Sequence, residues 1–286
     1  MLSVVTLVIV ALGVILVLNN FPSDAFVNGI MFPCDSLDTL VERSLPFIEL
    51  DRRGITSVLS PEVNAMYETV AHKVTPGTPV DTIVCFSHGN AGNIKMLWGN
   101  ICDRIVEAVP GSNAVGFTFD YTRGDDGRRP SPESSVNQCK QVIRHALDTF
   151  PSAVNLIIYG RSIGGAVSIH ALAHLLQSDR EVTTRFHNVH LVLETPFIGT
   201  YQTKFPAVNI VAERFGCVIQ LQEINRHKVT MTCFMASRDE IINNEAAHEI
   251  LADIIRDNKL NIMYFDTNHN GVVSNPMWTS DMKSLY

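Results

Sequence analysis

The chain has 286 residues, 46% hydrophobic and 18% charged, which excludes a disordered polypeptide and leaves room for no more than two ordinary domains. Twenty-nine acidic against 22 basic side chains give a net charge of −7, and no Lys/Arg run interrupts that balance, so no nucleic-acid footprint is visible. Thirteen Pro and 17 Gly exclude collagen-like and low-complexity classes; the six cysteines (Cys34, Cys85, Cys102, Cys139, Cys217, Cys233) have no metal-ligand spacing and read as mostly buried thiols.

The first element is the N-terminus. Residues 1–23 carry no charged side chain, and residues 2–18 are apolar apart from Ser3, Thr6 and Gly13. At 1.5 Å per helical residue, residues 2–21 span about 30 Å, a hydrocarbon core. A retained transmembrane signal anchor over 1–22 and a cleaved signal peptide compete. The missing basic n-region and the poor cleavage site at Leu18, Asn19 and Asn20 favour the anchor. The first basic residue after it is Arg43, so the positive-inside rule leaves orientation open. The absence of any N-x-S/T sequon agrees with a cytosolic or an unglycosylated domain.

Residues 23–44 read as a linker, followed from 45 to 286 by one domain. Short apolar stretches at 46–51 and 65–71 predict early strands. Strand and helix then alternate: strand 82–87, helix 94–108, strand 114–120, helix 134–150, strand 154–159, helix 162–176, strands 190–194 and 231–237, helix 244–256, strand 261–265. Continuous apolar strands between helices predict a mostly parallel α/β sheet covered on both faces, with functional groups at the carboxyl ends of the strands. Residues 196–228 break the alternation and read equally as a small lid or as an ordinary surface helix with loops.

Four of those strand ends carry chemistry. Gly160-Arg161-Ser162-Ile163-Gly164 is a G-x-S-x-G between an apolar strand and a helix, the setting of a serine held on a strained turn with its hydroxyl exposed. The glycine-containing turn His88-Gly89-Asn90-Ala91-Gly92-Asn93 follows an earlier strand and can aim backbone N–H groups at an oxyanion. Its donor would be Asn90 or Ala91, joined by the N–H of Ile163. A phosphate cradle is the competing reading, but the Lys-Ser/Thr ending of a P-loop is missing. A serine nucleophile needs a base and the base an orienting acid. His269 lies just past the last strand in a polar loop, whereas His145, His170, His174 and His248 fall on predicted helices. Asp239 follows the strand 231–237 and precedes His269 in the order Ser, Asp, His; Glu240 is its nearest competitor, and Asp266 is too close to His269 in the chain.

Taken together, Val84 to Asn93, Phe119-Asp120-Tyr121, Tyr159 to Gly165, Ser237-Arg238-Asp239-Glu240 and Asn268-His269-Asn270 resemble the α/β-hydrolase fold serine hydrolases of the Bem46 and α/β-hydrolase-domain-containing type, over roughly 45–280. The resemblance implies Ser162 as nucleophile, Asp239 as acid and His269 as base. It also implies an N-terminal membrane segment and acyl ester or thioester substrates, lysophospholipids and protein-linked palmitate among them. Three departures stand out: a highly charged 122–131 loop where the family has a Gly-rich stretch, Asn268 where it usually has Gly, and no N-terminal cysteine cluster of the depalmitoylating members.

The expectation is a membrane-anchored serine hydrolase that meets the lipid bilayer and an acyl substrate, with no metal, cofactor or nucleic acid. The competing readings are a catalytically inactive binding protein and a peptidase of the same fold.

Overall fold

The computed structural model describes residues 55–60, 65–70, 79–89, 103–109, 113–119, 121, 130–199, 216–256 and 260–285. Its strands are β1 (Ile55–Ser60), β2 (Ala65–Val70), β3 (Thr82–Ser87), β4 (Ala114–Phe119), β5 (Asn155–Arg161), β6 (Asn188–Glu194), β7 (Val229–Ala236) and β8 (Leu260–Phe265). They form one sheet in the order β1-β2-β4-β3-β5-β6-β7-β8. β2 runs antiparallel to β1 and β4, and every other neighbouring pair is parallel.

The helices are α1 (Asp103–Ala108), α2 (Pro132–Thr149), α3 (Ile163–Ser178), α4 (Arg180–Arg185), α5 (Val218–Asn225), α6 (Asn244–Arg256) and α7 (Pro276–Ser284). Alternate strand residues feed two cores, as a pleat of period two requires. Leu156, Ile158, Leu191, Leu193, Met231 and Cys233 pack with α2, α3, α5 and α6 on one face. Ile157, Tyr159, Val192, Phe234 and Phe265 pack with α1 and α7 on the other, around the fully buried Trp278. This division follows from right-handed crossovers. The β3-to-β4 step runs across the sheet opposite to all later parallel steps, so its helix falls on the opposite face.

The reversal places a topological switch point between β3 and β5, where a crevice opens beyond the strands' carboxyl ends. Register makes those ends flush: Ser87 pairs with Gly160, Arg161 with Glu194, and Glu194 with Phe234. α2 starts sharply because Ser131 and Ser134 form a reciprocal capping box with Pro132 at the first helical position.

The alternation expected from the sequence is present, with shifted edges. β6 and β7 each begin two residues earlier than the apolar runs suggested, since Asn188 pairs with Asn155 and Val229 with Val189 although polar His187, Lys228 and Thr230 adjoin them. β1, α4 and the C-terminal α7 were not anticipated; α7 follows the Asn275-Pro276 start signal, whose Asn275 side chain caps the N–H of Met277. Within the candidate lid at 196–228, residues 196–199 are buried and α5 packs on α3; 200–215 lie outside the described residues. So do the anchor at 1–22, the linker at 23–44, the strand at 46–51 and the charged loop at 122–129. No helix among the described residues is long and apolar enough to cross a membrane.

Candidate active site

Ser162 sits between β5 and α3 with φ 51° and ψ −121°, a backbone conformation that L-residues avoid and that costs about 1–3 kcal/mol. The surrounding main chain holds it there. Its N–H donates to Glu194 O (2.9 Å), and its carbonyl accepts from the N–H groups of Gly165 (2.9 Å) and Phe197 (3.0 Å). The turn is possible only because of its glycines. A Cβ on Gly164 would collide with the Ser87 carbonyl oxygen, and one on Gly160 would lie 2.5 Å from Gly164 O and 2.6 Å from Gly165 Cα. The G-x-S-x-G spacing is therefore what lets α3 start against the end of β3 while lifting the serine clear of the sheet.

His269 occupies the loop after β8 and Asp239 the loop after β7, and backbone bonds knit the two loops together. Ser237 N–H donates to Phe265 O (2.8 Å) and Arg238 N–H to Thr267 O (3.0 Å). The imidazole Nε2 stands 3.2 Å from Ser162 Oγ, and Nδ1 stands 2.8 Å and 3.0 Å from Asp239 Oδ2 and Oδ1. Asp239 and His269 are buried, while the serine is partly open. Asp239 Oδ1 also accepts from the N–H groups of Ile241 and Ile242, both at 2.8 Å. Burial alone would push the Asp239 carboxyl up, but the bond to His269 with the charge that ring can carry, and those two backbone donors, outweigh it. The group lies below the ordinary carboxylate value and stays ionised.

The residues expected from the sequence divide clearly. Ser162, His269 and Asp239 are brought into one hydrogen-bonded series. Ile163 opens α3, where its N–H precedes the first intrahelical bond and is available to a ligand beside Ser162. Asn90 and Ala91 lie outside the described residues; the chain leading to them is in place, since a Cβ on Gly89 would be 3.4 Å from Ser162 Cβ. Tyr121 steadies that approach, donating its hydroxyl to His88 O (2.7 Å) with the two rings 4.3 Å apart. Asp266 points elsewhere, to an exposed ion pair with Arg238 (2.9 Å).

Sequence reasoning missed a second set of polar residues around the first. Glu240 Oε2 accepts the backbone N–H of His269 (3.0 Å), and that bond holds its carboxyl below the usual range. Arg161 is buried; its Nη2 donates to Asn270 Oδ1 (2.7 Å) and its Nε lies 3.6 Å from Glu194 Oε1. Glu194 Oε2 accepts the Tyr159 hydroxyl (2.9 Å); burial and the Glu194 charge push that phenol well up, so it remains a donor. The signal was present: Glu194 ends an apolar strand, and a buried carboxylate needs a cation, which parallel register would have located at Arg161.

Thiol chemistry finds no support at this site. Cys85, Cys139, Cys217 and Cys233 are buried outside any disulfide, and burial raises all four thiols, Cys139 and Cys233 to about 12. Among the described residues no cluster of three or more His, Cys, Asp or Glu could hold a metal ion.

No family model matches the chain. An uncharacterised protein of Escherichia coli O157:H7, YfhR, is 34% identical over 106 residues, covering 34% of this chain and 32% of that protein, so the match spans about a third of its relative. Among solved structures, an alpha-beta hydrolase from Vibrio vulnificus has a TM-score of 0.64 at 14% identity over 93% of both chains. An esterase from Pyrobaculum calidifontis has a TM-score of 0.58 at 12% identity, covering 93% of this chain and 92% of that one. These likenesses establish that the chain has the α/β-hydrolase fold.

Proposed function

We propose that the protein is a serine hydrolase of carboxylic esters or thioesters, with Ser162 as nucleophile, His269 as base and Asp239 as orienting acid. The observation that carries this reading is the unbroken series from Asp239 through the imidazole to a serine hydroxyl on a strained turn at the switch point of the sheet. Such strain has no structural benefit of its own, and strained serines beside a base are the means by which a weak nucleophile is presented to a carbonyl.

The chemistry follows from the geometry. Ser162 Oγ attacks the acyl carbon as its proton passes to His269 Nε2, and Asp239 stabilises the imidazolium through Nδ1. The negative charge that develops on the carbonyl oxygen is met by the N–H of Ile163 and by a donor from the turn after Gly89, Asn90 or Ala91. Collapse of the tetrahedral adduct expels the alcohol or thiol, which takes the proton from His269, and leaves an acyl-Ser162. Water then repeats the sequence with His269 as base and releases the carboxylic acid.

The Bem46-type motifs and the apolar stretch at 2–21 support a finer reading, in which the hydrolase is membrane-anchored and its acyl substrate is lipid-like. The likeness to an esterase supports ester chemistry.

A fluorophosphonate probe is expected to label the wild-type protein and not Ser162→Ala, and the same substitution should lower turnover of an ester and thioester panel by about 10⁴-fold or more. Equal labelling of the two, or no labelling of the wild type, overturns the enzyme in favour of a binding protein. Hydrolysis of peptides but of no ester overturns the substrate class. Resistance to carbonate extraction from membranes is expected if the anchor is retained, carbonate-extractable protein overturns it, and protease protection of a C-terminal tag then fixes topology.

A further inference from the structure

Two contacts link residues adjacent in sequence to the proposed nucleophile, acid and base. Arg161 precedes Ser162 and holds the Asn270 side chain (2.7 Å), which follows His269; Glu240, next to Asp239, holds the His269 backbone (3.0 Å). Of these, the Arg161 contact alone is anchored in the core. Arg161 is 7% exposed and Glu194 is not exposed at all, and their side chains pair across the ends of β5 and β6. Glu194 is fixed in turn by the Tyr159 hydroxyl, whose ring packs edge-on against Trp278. Asn270, by contrast, is exposed, on a loop that extends beyond the sheet.

We propose that Arg161 is a positioning residue that ties the His269 loop, through Asn270, to the same strand end that carries Ser162, and so sets the imidazole-to-serine distance. This inference rests on the serine hydrolase reading. His269 and Ser162 are 107 positions apart and follow different strands, so their 3.2 Å approach depends on relative placement of the β5 and β8 ends. Those strands are separated by β6 and β7 in the sheet. The Asp239 bond orients the ring but moves with the β7–β8 loops, to which it belongs. The guanidinium links that pair of loops back to β5, with Nη2 hydrogen-bonded to Asn270 and Nε in an ion pair with Glu194 at 3.6 Å. Misplacement of reacting groups by about 1 Å costs up to about a hundredfold in rate, so a modest slackening here is measurable.

Asn270 is the place to test this, because an exposed side chain can be removed without leaving Arg161 and Glu194 unpaired. Asn270→Ala is expected to lower kcat on a short-chain ester about tenfold, with KM within about twofold and the melting temperature unchanged. Asn270→Asp keeps an oxygen where Arg161 donates and is expected to regain most of the lost kcat. Amide exchange across residues 268–271, measured without substrate, should quicken in Asn270→Ala and slow again in Asn270→Asp. Wild-type kcat and unchanged exchange in Asn270→Ala overturn the proposal, as does a kcat loss that Asn270→Asp fails to recover. The exchange reads the tie of this loop even if the wild type hydrolyses nothing, a result that would sink the hydrolase reading by itself.

Discussion

Two buried carboxylates stand at the carboxyl ends of neighbouring strands, Glu194 at the end of β6 and Asp239 just past β7, and they are used in opposite ways. Glu194 faces a guanidinium and a phenol, partners whose protonation does not change near neutral pH. Its charge is compensated at all times, so it fixes structure. Asp239 faces an imidazole whose other nitrogen is placed to take the proton of Ser162 Oγ. Its carboxylate is held by two backbone N–H groups and stabilises the charge that the reaction puts on the ring. The difference teaches that burial of an acid does not tell its role, whereas the chemistry of its partner does.

Neutralising each acid in turn breaks the comparison at its strongest point. In Asp239→Asn the amide oxygen should take the place of Oδ1, because the N–H groups of Ile241 and Ile242 demand an acceptor there. The amide NH₂ then faces His269 Nδ1 and donates to it, forcing the proton onto Nε2, where it blocks transfer from Ser162. The expected loss in kcat is about 10⁴-fold, measured on the ester panel, with a fold intact by circular dichroism. A loss of tenfold or less would mean that Asp239 does not set the tautomer. Because the folded-state value of Asp239 is depressed, the stability it contributes is present above the ordinary carboxylate range and is lost as pH falls through that depressed value. Asp239→Asn should remove this acid-side loss from melting curves taken between pH 6 and 3.

Glu194→Gln is expected to do the reverse. The Tyr159 hydroxyl keeps an acceptor, but the Arg161 charge is left buried with no counter-charge, which destabilises the fold by about 3 kcal/mol. The turnover of the remaining folded protein should fall by about tenfold, since the strand-end anchor of Arg161 is weakened. Urea unfolding checks the first quantity and active-site titration with a fluorophosphonate the second. If Glu194→Gln were as stable as wild type and as inactive as Asp239→Asn, the two acids would have to exchange roles.

The same contrast explains what the sequence disclosed. Ser162, His269 and Asp239 were legible because each lies in a polar or glycine-containing turn after an apolar run, and because a G-x-S-x-G between strand and helix has few other uses. Parallel strands and both layers of helices were legible from continuous apolar runs, which only a doubly covered sheet can bury. Arg161, Glu194 and Tyr159 were not, because their meaning lies in which strands are neighbours. Tyr159 reads as one more core aromatic until Glu194 is known to sit beside it, and pairing of β5 with β6 is a tertiary fact. β1 escaped for a related reason. Its sequence Ile55-Thr-Ser-Val-Leu-Ser60 has no strict alternation, and its place at the sheet edge is set by pairing with β2.

A third acid sharpens the comparison from its weak end. Glu240 adjoins Asp239 in the chain but is exposed, and it touches His269 only through the backbone N–H. Water can replace that acceptor, so Glu240→Ala is expected to lower kcat only about threefold, the worth of one exposed hydrogen bond. Glu240→Gln, which keeps an oxygen in place, should lie closer to wild type. The pH dependence has a definite sign. The His269 N–H bond depresses the Glu240 carboxyl, so its contribution to loop order is present above the ordinary glutamate value and fades as pH falls through the depressed one. Amide exchange at His269 should therefore be faster in Glu240→Ala than in wild type at pH 6, and the two rates should converge as pH falls through the depressed Glu240 value. If instead Glu240→Ala cost as much as Asp239→Asn, the backbone bond would be a primary support of the base, and neither burial nor partner chemistry would rank these three acids.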